Sequence, residues 1–157
     1  MIKKILICLM IIFSFSLVGC TDQPTPIKDP VKIDTNLADE SRYLGEIDKL
    51  SRDMLLATNW VSEGLEKDDF YKIDLGFSTA HVAYTKCKEL NPPTKYESFH
   101  VIFLGSIEDF CIAGGAFYTF LENPNDSKAA DDFVKFLSLS AVEADQASLE
   151  LKEIEMY

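Results

Sequence analysis

Histidine and cysteine are scarce in this chain, which holds two histidines and four cysteines among 157 residues. The sequence has no Cys-x-x-Cys-His segment for haem attachment, no calcium loop of alternating acidic residues and no glycine-rich phosphate loop after a strand. It also lacks a converging acid, base and nucleophile set. We therefore expect no cofactor, no metal site and no enzymatic activity.

The nearest approach to a metal motif is Glu97-Ser98-Phe99-His100, a Glu-x-x-His spacing that places a carboxylate and an imidazole on one helical face. A ferritin-like di-iron site needs a second such motif, but His81 has Ser78 three positions before it. Glu97 also follows Thr94 at the spacing of a capping box, which favours a structural role at a helix start.

A thiol and an imidazole could be neighbours near the middle of the chain. A hairpin folded about Pro92 and Pro93 brings Cys87 level with His100. This admits a transition-metal site or an activated thiol. We favour the simpler interpretation, a buried cysteine beside a hydrogen-bonded histidine.

Positive charge is also in deficit. Lys and Arg number 15 against 26 Asp and Glu, so the net charge is −11. Such a surface repels phosphate backbones and anionic lipid headgroups, which disfavours binding to nucleic acid, and it attracts cations and basic partners.

Long apolar runs are absent except for Ile5 to Val18, 14 residues preceded by Lys3 and Lys4. This run is shorter than the ~20 residues needed to cross a bilayer. A basic start, a short apolar stretch and a small residue before a cleavage point are typical of a secretory signal.

The signal ends in Leu17, Val18, Gly19 and Cys20, which resembles the lipobox of bacterial lipoproteins. The resemblance implies cleavage before Cys20 and acylation of its thiol, so that 1–19 is a signal peptide and the protein is anchored to the extracytoplasmic face of a membrane. Two or more acyl chains anchor stably. Residues 20–36 contain three prolines and are predicted to form an extended tether. Residues 37–157 are predicted to form one domain.

Within 37–157, apolar residues recur at alternating steps of three and four, the spacing of one helix face. Four inner faces follow: Tyr43 to Val61, Phe70 to Cys87, Phe99 to Leu121 and Phe133 to Ile154. Short connections predict an all-α fold, an antiparallel up-down-up-down four-helix bundle. The third helix should be the most buried.

The predicted helix ends rest on local signals. Asp68 or Asp69 would cap the second helix, and Pro92 and Pro93 would end it. The Thr94 capping box would start the third, and Asn123 to Asp126 would break it and start the fourth.

Ala113, Gly114, Gly115 and Ala116 interrupt the third helix with small residues, although each glycine costs ~1 kcal/mol relative to alanine. We favour close approach of a neighbouring helix, such as the alanine-rich face of the fourth; a bend or a phenylalanine-lined pocket is the alternative.

The two cysteines of the domain, Cys87 and Cys111, should not form a disulfide. In the hairpin, Cys111 lies roughly 18 Å beyond the level of Cys87 at 1.5 Å per residue, whereas a disulfide needs α-carbons within ~7 Å. We predict two buried free thiols.

The domain resembles the small helical lipoproteins of Gram-positive bacteria, and this resemblance transfers no functional residue. Two hypotheses remain. One is a protein-interaction module that contacts another envelope protein, with Trp60 and Tyr71 as candidate surface residues. The other is a carrier of a small apolar ligand near Phe103, Phe110, Gly114, Gly115 and Phe117. A cavity of ~300 Å³ would favour the carrier, and a filled core with an exposed apolar patch the interaction module.

Overall fold

A computed structural model describes residues 35–156 of the chain. The predicted signal peptide, Cys20 and all but the end of the predicted tether lie outside these described residues. Residues 35–156 form four α-helices, α1 Thr35–Lys67, α2 Phe70–Glu89, α3 Glu97–Glu122 and α4 Ser127–Glu155, and a 3₁₀ turn at Thr94–Tyr96 leads into α3. No strand occurs within 35–156, which confirms the all-α class.

Two of the three predicted helix starts are confirmed by side-chain caps. The carboxylate of Asp69 accepts a hydrogen bond from the Lys72 amide at 3.2 Å, and that of Asp126 accepts one from the Ala129 amide at 3.0 Å. Each cap satisfies an amide that has no partner inside the helix.

The predicted capping box at Thr94 is wrong. Thr94 is the first residue of the 3₁₀ turn, and α3 starts without any side-chain cap at Tyr96. The turn itself replaces the cap, because the Tyr96 amide donates to the Pro93 carbonyl at 2.8 Å. The pair Pro92-Pro93 thus ends α2 and also supplies an acceptor for the next helical segment.

Helices α1 and α2 approach closely because their interface contains glycine and alanine. A Cβ atom on Gly76 would lie 2.6 Å from the Ala57 carbonyl oxygen, and one on Gly64 would lie 2.5 Å from Cγ1 of Ile73. Both distances are shorter than any side chain tolerates, so these glycines set the spacing of the two helices.

Helices α3 and α4 are joined by small residues and by a buried hydroxyl. The Ser140 hydroxyl donates to the Ser106 carbonyl at 2.7 Å, and the Phe117 and Phe133 rings are 5.4 Å apart. The sequence numbers of the contacting residues decrease along α4 as they increase along α3. Within the described residues, the most extensive backbone contacts are those of α3 with α4 and of α1 with α2.

The buried side chains form two clusters, and α3 contributes to both. Phe99, Phe103 and Ile107 belong to the cluster near the start of α3, and Phe110, Ala113 and Phe117 to the other. This distribution agrees with the prediction that the third helix is the main core helix.

The segment Thr94–Glu122 is, within the described part of the chain, the one helical stretch long and apolar enough to cross a membrane by length and composition. A core helix passes the same test. Because this segment contributes buried side chains to both core clusters, its hydropathy is explained by the core and does not indicate a membrane span.

Some residues assigned to inner faces are exposed. Phe70 begins α2 with 57 % of its surface exposed, and Leu121 near the end of α3 is exposed as well. Both lie within one turn of a helix end, where the periodic pattern continues but no neighbouring helix covers the side chain.

Candidate functional site

A tyrosine and a histidine form a buried polar pair between α1 and α3. The Tyr43 hydroxyl lies 3.1 Å from Nδ1 of His100, and both residues are buried. Burial lowers the pKa of His100, so its imidazole is neutral at neutral pH. The same desolvation, with smaller effects from Cys87 and Tyr96, raises the pKa of Tyr43. The pair is therefore uncharged and is satisfied internally.

The two cysteines of the domain are free thiols. Cys87 is fully buried, as predicted, and burial raises its pKa to about 12. Cys111 is only half-buried, and burial followed by the charge of Glu108 raises its pKa to about 11. A thiol with such a pKa stays protonated at neutral pH and is a poor nucleophile, so the geometry does not support an activated Cys87.

The Glu97-x-x-His100 pair does not converge on one point. Glu97 is exposed, whereas His100 is buried against Tyr43; His81 is exposed on α2. Within 35–156 no group of three or more His, Cys, Asp and Glu side chains is placed to hold a metal ion.

The five residues predicted to bind a ligand are not brought together. Phe103 lies in one core cluster, while Phe110, Gly114 and Phe117 pack around Phe77 of α2. A Cβ atom on Gly114 would lie 2.7 Å from the Phe77 ring, so no cavity exists there. The fifth residue, Gly115, is exposed.

Close packing therefore explains Gly114, as the sequence favoured, but the neighbour differs. The predicted neighbour was the alanine-rich face of α4. The structure instead places the Phe77 ring of α2 against Gly114.

An apolar cleft with a volume of about 180 Å³ lies between α1 and α4 and is floored by α3. This is below the ~300 Å³ typical of a drug-sized ligand site. Its apolar walls are formed by Ile47, Met54, Leu55, Phe99, Phe103, Ala144, Ala147 and Leu151.

The sequence analysis missed this cleft, although a signal for it exists. The positions of α4 that face α1 are small, Ser140, Ala144 and Ser148, while those of α1 are medium-sized. Small side chains on one helix leave space unless the neighbouring helix closes in, and α1 with α4 is not one of the closely packed pairs.

A larger depression of about 710 Å³ lies beside the start of α1 and the α2–α3 connection. Its charged groups are largely paired: Arg42 binds Asp39 at 3.2 Å, and Lys95 binds Glu40 at 2.6 Å. These are exposed surface ion pairs, and they define no binding chemistry.

A carboxylate seam lies between α3 and α4. The Oε2 atom of Glu143 is buried without a hydrogen-bond partner and sits where a Cβ on Gly105 would be 2.9 Å away. Burial raises the pKa of Glu143, and the negative charges of Asp109 and Glu108 raise it further. Burial and Glu108 also raise the pKa of Asp109, against the opposing effect of Lys135.

The two predicted interaction residues differ in exposure. Trp60 is half-buried on α1, whereas Tyr71 is 75 % exposed, the largest fraction among the large hydrophobic residues that the structure describes as exposed. Phe70, which sequence reasoning placed in the core, is its exposed neighbour. Together Phe70 and Tyr71 form an aromatic pair at the first turn of α2, which we call the tip pair.

Comparison with known proteins adds no family assignment: no family model, no curated protein and no solved structure matches the chain.

Proposed function

We propose that this protein is a lipid-anchored, extracytoplasmic protein without enzymatic activity, which binds an envelope protein through the tip pair. The observation that carries the proposal is the exposure of two adjacent aromatic side chains, Tyr71 at 75 % and Phe70 at 57 %. Exposed aromatic side chains supply much of the binding energy at protein interfaces because they bury large areas on contact.

The proposed arrangement of the helices places the tip pair far from the anchor. The register of contacts supports an up-down-up-down four-helix bundle: Ala57 lies beside Gly76 in the first hairpin, and Tyr118 bonds to Asp74 at 2.8 Å between α2 and α3. Because α1 has 33 residues, its far end lies roughly 50 Å from its start at 1.5 Å per residue. The tip pair follows that far end and would face away from the membrane.

The charge around the tip pair indicates the chemistry of the partner. Asp68 and Asp69 directly precede the two aromatic residues, and the whole chain carries a net charge of −11. A basic partner surface would be attracted to this end and would orient before apolar contact. We therefore expect the partner to present basic groups around an apolar recess.

The proposed anchor is Cys20 within the lipobox-like segment Leu17 to Cys20. Acylation would hold the domain at the membrane on the tether, while the acidic surface would stay off the anionic headgroups. Anchoring and partner binding would thus be carried by opposite ends of the molecule.

A photo-crosslinking amino acid at position 71, introduced into the full chain in its own host, tests the proposed surface. We expect one discrete crosslinked protein of fixed mass, strongly reduced when Phe70→Ala is added. Leu149, which is 62 % exposed on α4, is the matched control position. Equal crosslinking from positions 71 and 149, or no crosslink at 71, would contradict a binding site at the tip pair.

A further inference from the structure

We infer that the cleft between α1 and α4 binds a single alkyl chain that carries an anionic head, the chemistry of a free fatty acid. This inference concerns a different face of the domain from the tip pair and does not depend on partner binding there.

The cleft is built into the packing of the domain. Helices α1 and α2 form one tight pair and α3 and α4 another, each spaced by glycine, alanine or serine. The α1 and α4 backbones are not among the closely packed pairs, so the space between them is lined by side chains alone. The space of about 180 Å³ between them holds about six times the ~30 Å³ that a water molecule occupies in the liquid.

The lining is mostly apolar. Of its hydroxyl groups, those of Thr58, Ser106 and Ser140 donate to the main-chain carbonyls of Met54, Phe103 and Ser106 at 2.7 to 2.9 Å. These donors are already used. What faces the space is mainly side-chain carbon, and the volume of about 180 Å³ limits the ligand to a small apolar group such as a single alkyl chain.

One charged residue, Arg52, belongs to the lining among the described residues. Its Nη2 bonds to Asp48 at 2.7 Å, and its side chain is 62 % exposed. A guanidinium has five N–H donors, so one bond to Asp48 leaves others for a second carboxylate. A cation at the rim of an apolar cleft, on a domain rich in carboxylates, selects for an anionic head on the bound chain.

Titration of the processed chain, residues 20–157 with Cys20→Ser, with decanoate tests the site. This form has no acyl group of its own, so any bound alkyl chain comes from the added ligand. We expect saturable binding of one decanoate per chain. Ala144→Leu, which adds three carbon atoms to the α4 wall, should weaken it at least tenfold. Ser148→Phe fills the same cleft from a half-buried position and serves as the second variant if the first unfolds.

Two controls make the result specific. Ala130→Leu adds the same three carbons at a half-buried position of α4 outside the cleft and should leave decanoate binding unchanged. Arg52→Gln should weaken decanoate about tenfold, the strength of a charge-assisted hydrogen bond, and leave decanol unaffected.

Absence of saturable decanoate binding would overturn the inference, as would equal weakening by Ala130→Leu and Ala144→Leu. Equal loss of decanol and decanoate in Arg52→Gln would overturn the anionic head. Crosslinking from position 71 is independent of all these outcomes, so failure of the cleft and failure of the tip pair are distinguishable.

Discussion

At the scale of single residues, Gly114 and Gly115 show how adjacent identical residues take opposite roles. A Cβ on Gly114 would lie 2.7 Å from the Phe77 ring, whereas a Cβ on Gly115 would meet nothing within 4 Å. Gly114→Ala should therefore lower the free energy of unfolding by roughly 1 to 3 kcal/mol through overpacking. Gly115→Ala should raise it by about 1 kcal/mol, because alanine is the better helix former.

Urea unfolding followed by far-UV circular dichroism measures both variants against the same parent protein. The pair acts as its own control, since the two changes are chemically identical and one position apart. Equal effects of the two substitutions would show that α2 does not pack on Gly114 as described.

The Tyr43 and His100 pair shows the limit of sequence patterns at this scale. Periodicity places Tyr43 on the inner face of its helix, and Glu97-x-x-His100 suggests a metal ligand. Which group His100 meets depends on how α1 crosses α3, and local spacing in either helix contains no information on that crossing. The imidazole therefore serves as a buried hydrogen-bond partner of Tyr43 rather than as part of the suggested pair with Glu97.

At the scale of helices, the seam between α3 and α4 makes stability depend on pH through Glu143. Its pKa is raised by burial and by Asp109 and Glu108, so the folded state holds this proton more tightly than the unfolded state does. This group therefore adds stability as the pH falls from neutral through its folded-state pKa, with the full gain below the pKa of an unfolded glutamate, ~4.3. At neutral pH its buried charge is a cost.

Glu143→Gln removes that charge while keeping the size of the side chain. We expect the free energy of unfolding at pH 7 to rise by about 1 kcal/mol, and the difference from the parent to shrink as the pH falls toward 4.5. Burial lowers the pKa of His100, so protonation of this residue destabilises both proteins on acidification. Its contribution is the same in both and cancels in the comparison. Exposed Glu153→Gln on the same helix is the control; an identical pH profile for Glu143→Gln and the parent would refute the role of Glu143.

Much of the helix layout follows from the sequence, and the exceptions have physical causes. The spacing of apolar residues predicts all four helices, and Asp69 and Asp126 act as the caps expected of them. The Thr94 box fails because Pro93 provides a carbonyl that a 3₁₀ turn uses instead. Phe70 is exposed because periodicity reports one face of a helix but not where a neighbour stops covering it.

The candidate sites were less predictable than the helices. Tyr71 is as exposed as an interaction residue must be. The small residues of α4 that face the cleft are visible in the sequence, but the cleft itself depends on how far apart the α1–α2 and α3–α4 pairs lie, which local spacing does not report. Sequence reasoning placed the ligand near Gly114, where a Phe77 ring fills the space.

At the scale of the whole molecule, the proposed functions lie at three separate places in the chain. Residues 1–20 carry the proposed export and anchoring signals, the tip pair lies at the far end of the first hairpin, and the cleft opens between the first and last helices. Removing Lys3 and Lys4 with the signal would make the remaining protein more acidic than the −11 of the whole chain. The proposed lipid anchor would hold the domain at a membrane whose anionic headgroups repel it, which electrostatic attraction alone could not do.

In the proposed arrangement, membrane attachment depends on Cys20. Metabolic labelling of the host with an alkyne analogue of palmitate should label the wild-type chain, and Cys20→Ala should abolish the label, because the proposed acyl groups are carried on the lipobox cysteine, through the glycerol bound to its sulfur and through its amino group. Cys8→Ala is the matched control: it removes another cysteine of the same segment and should leave labelling intact. Mass spectrometry should find the wild-type protein beginning at an acylated Cys20, while Cys20→Ala retains residues 1–19. Persistent labelling of Cys20→Ala, or loss of the label in Cys8→Ala alone, would show that the chain is attached through a different residue.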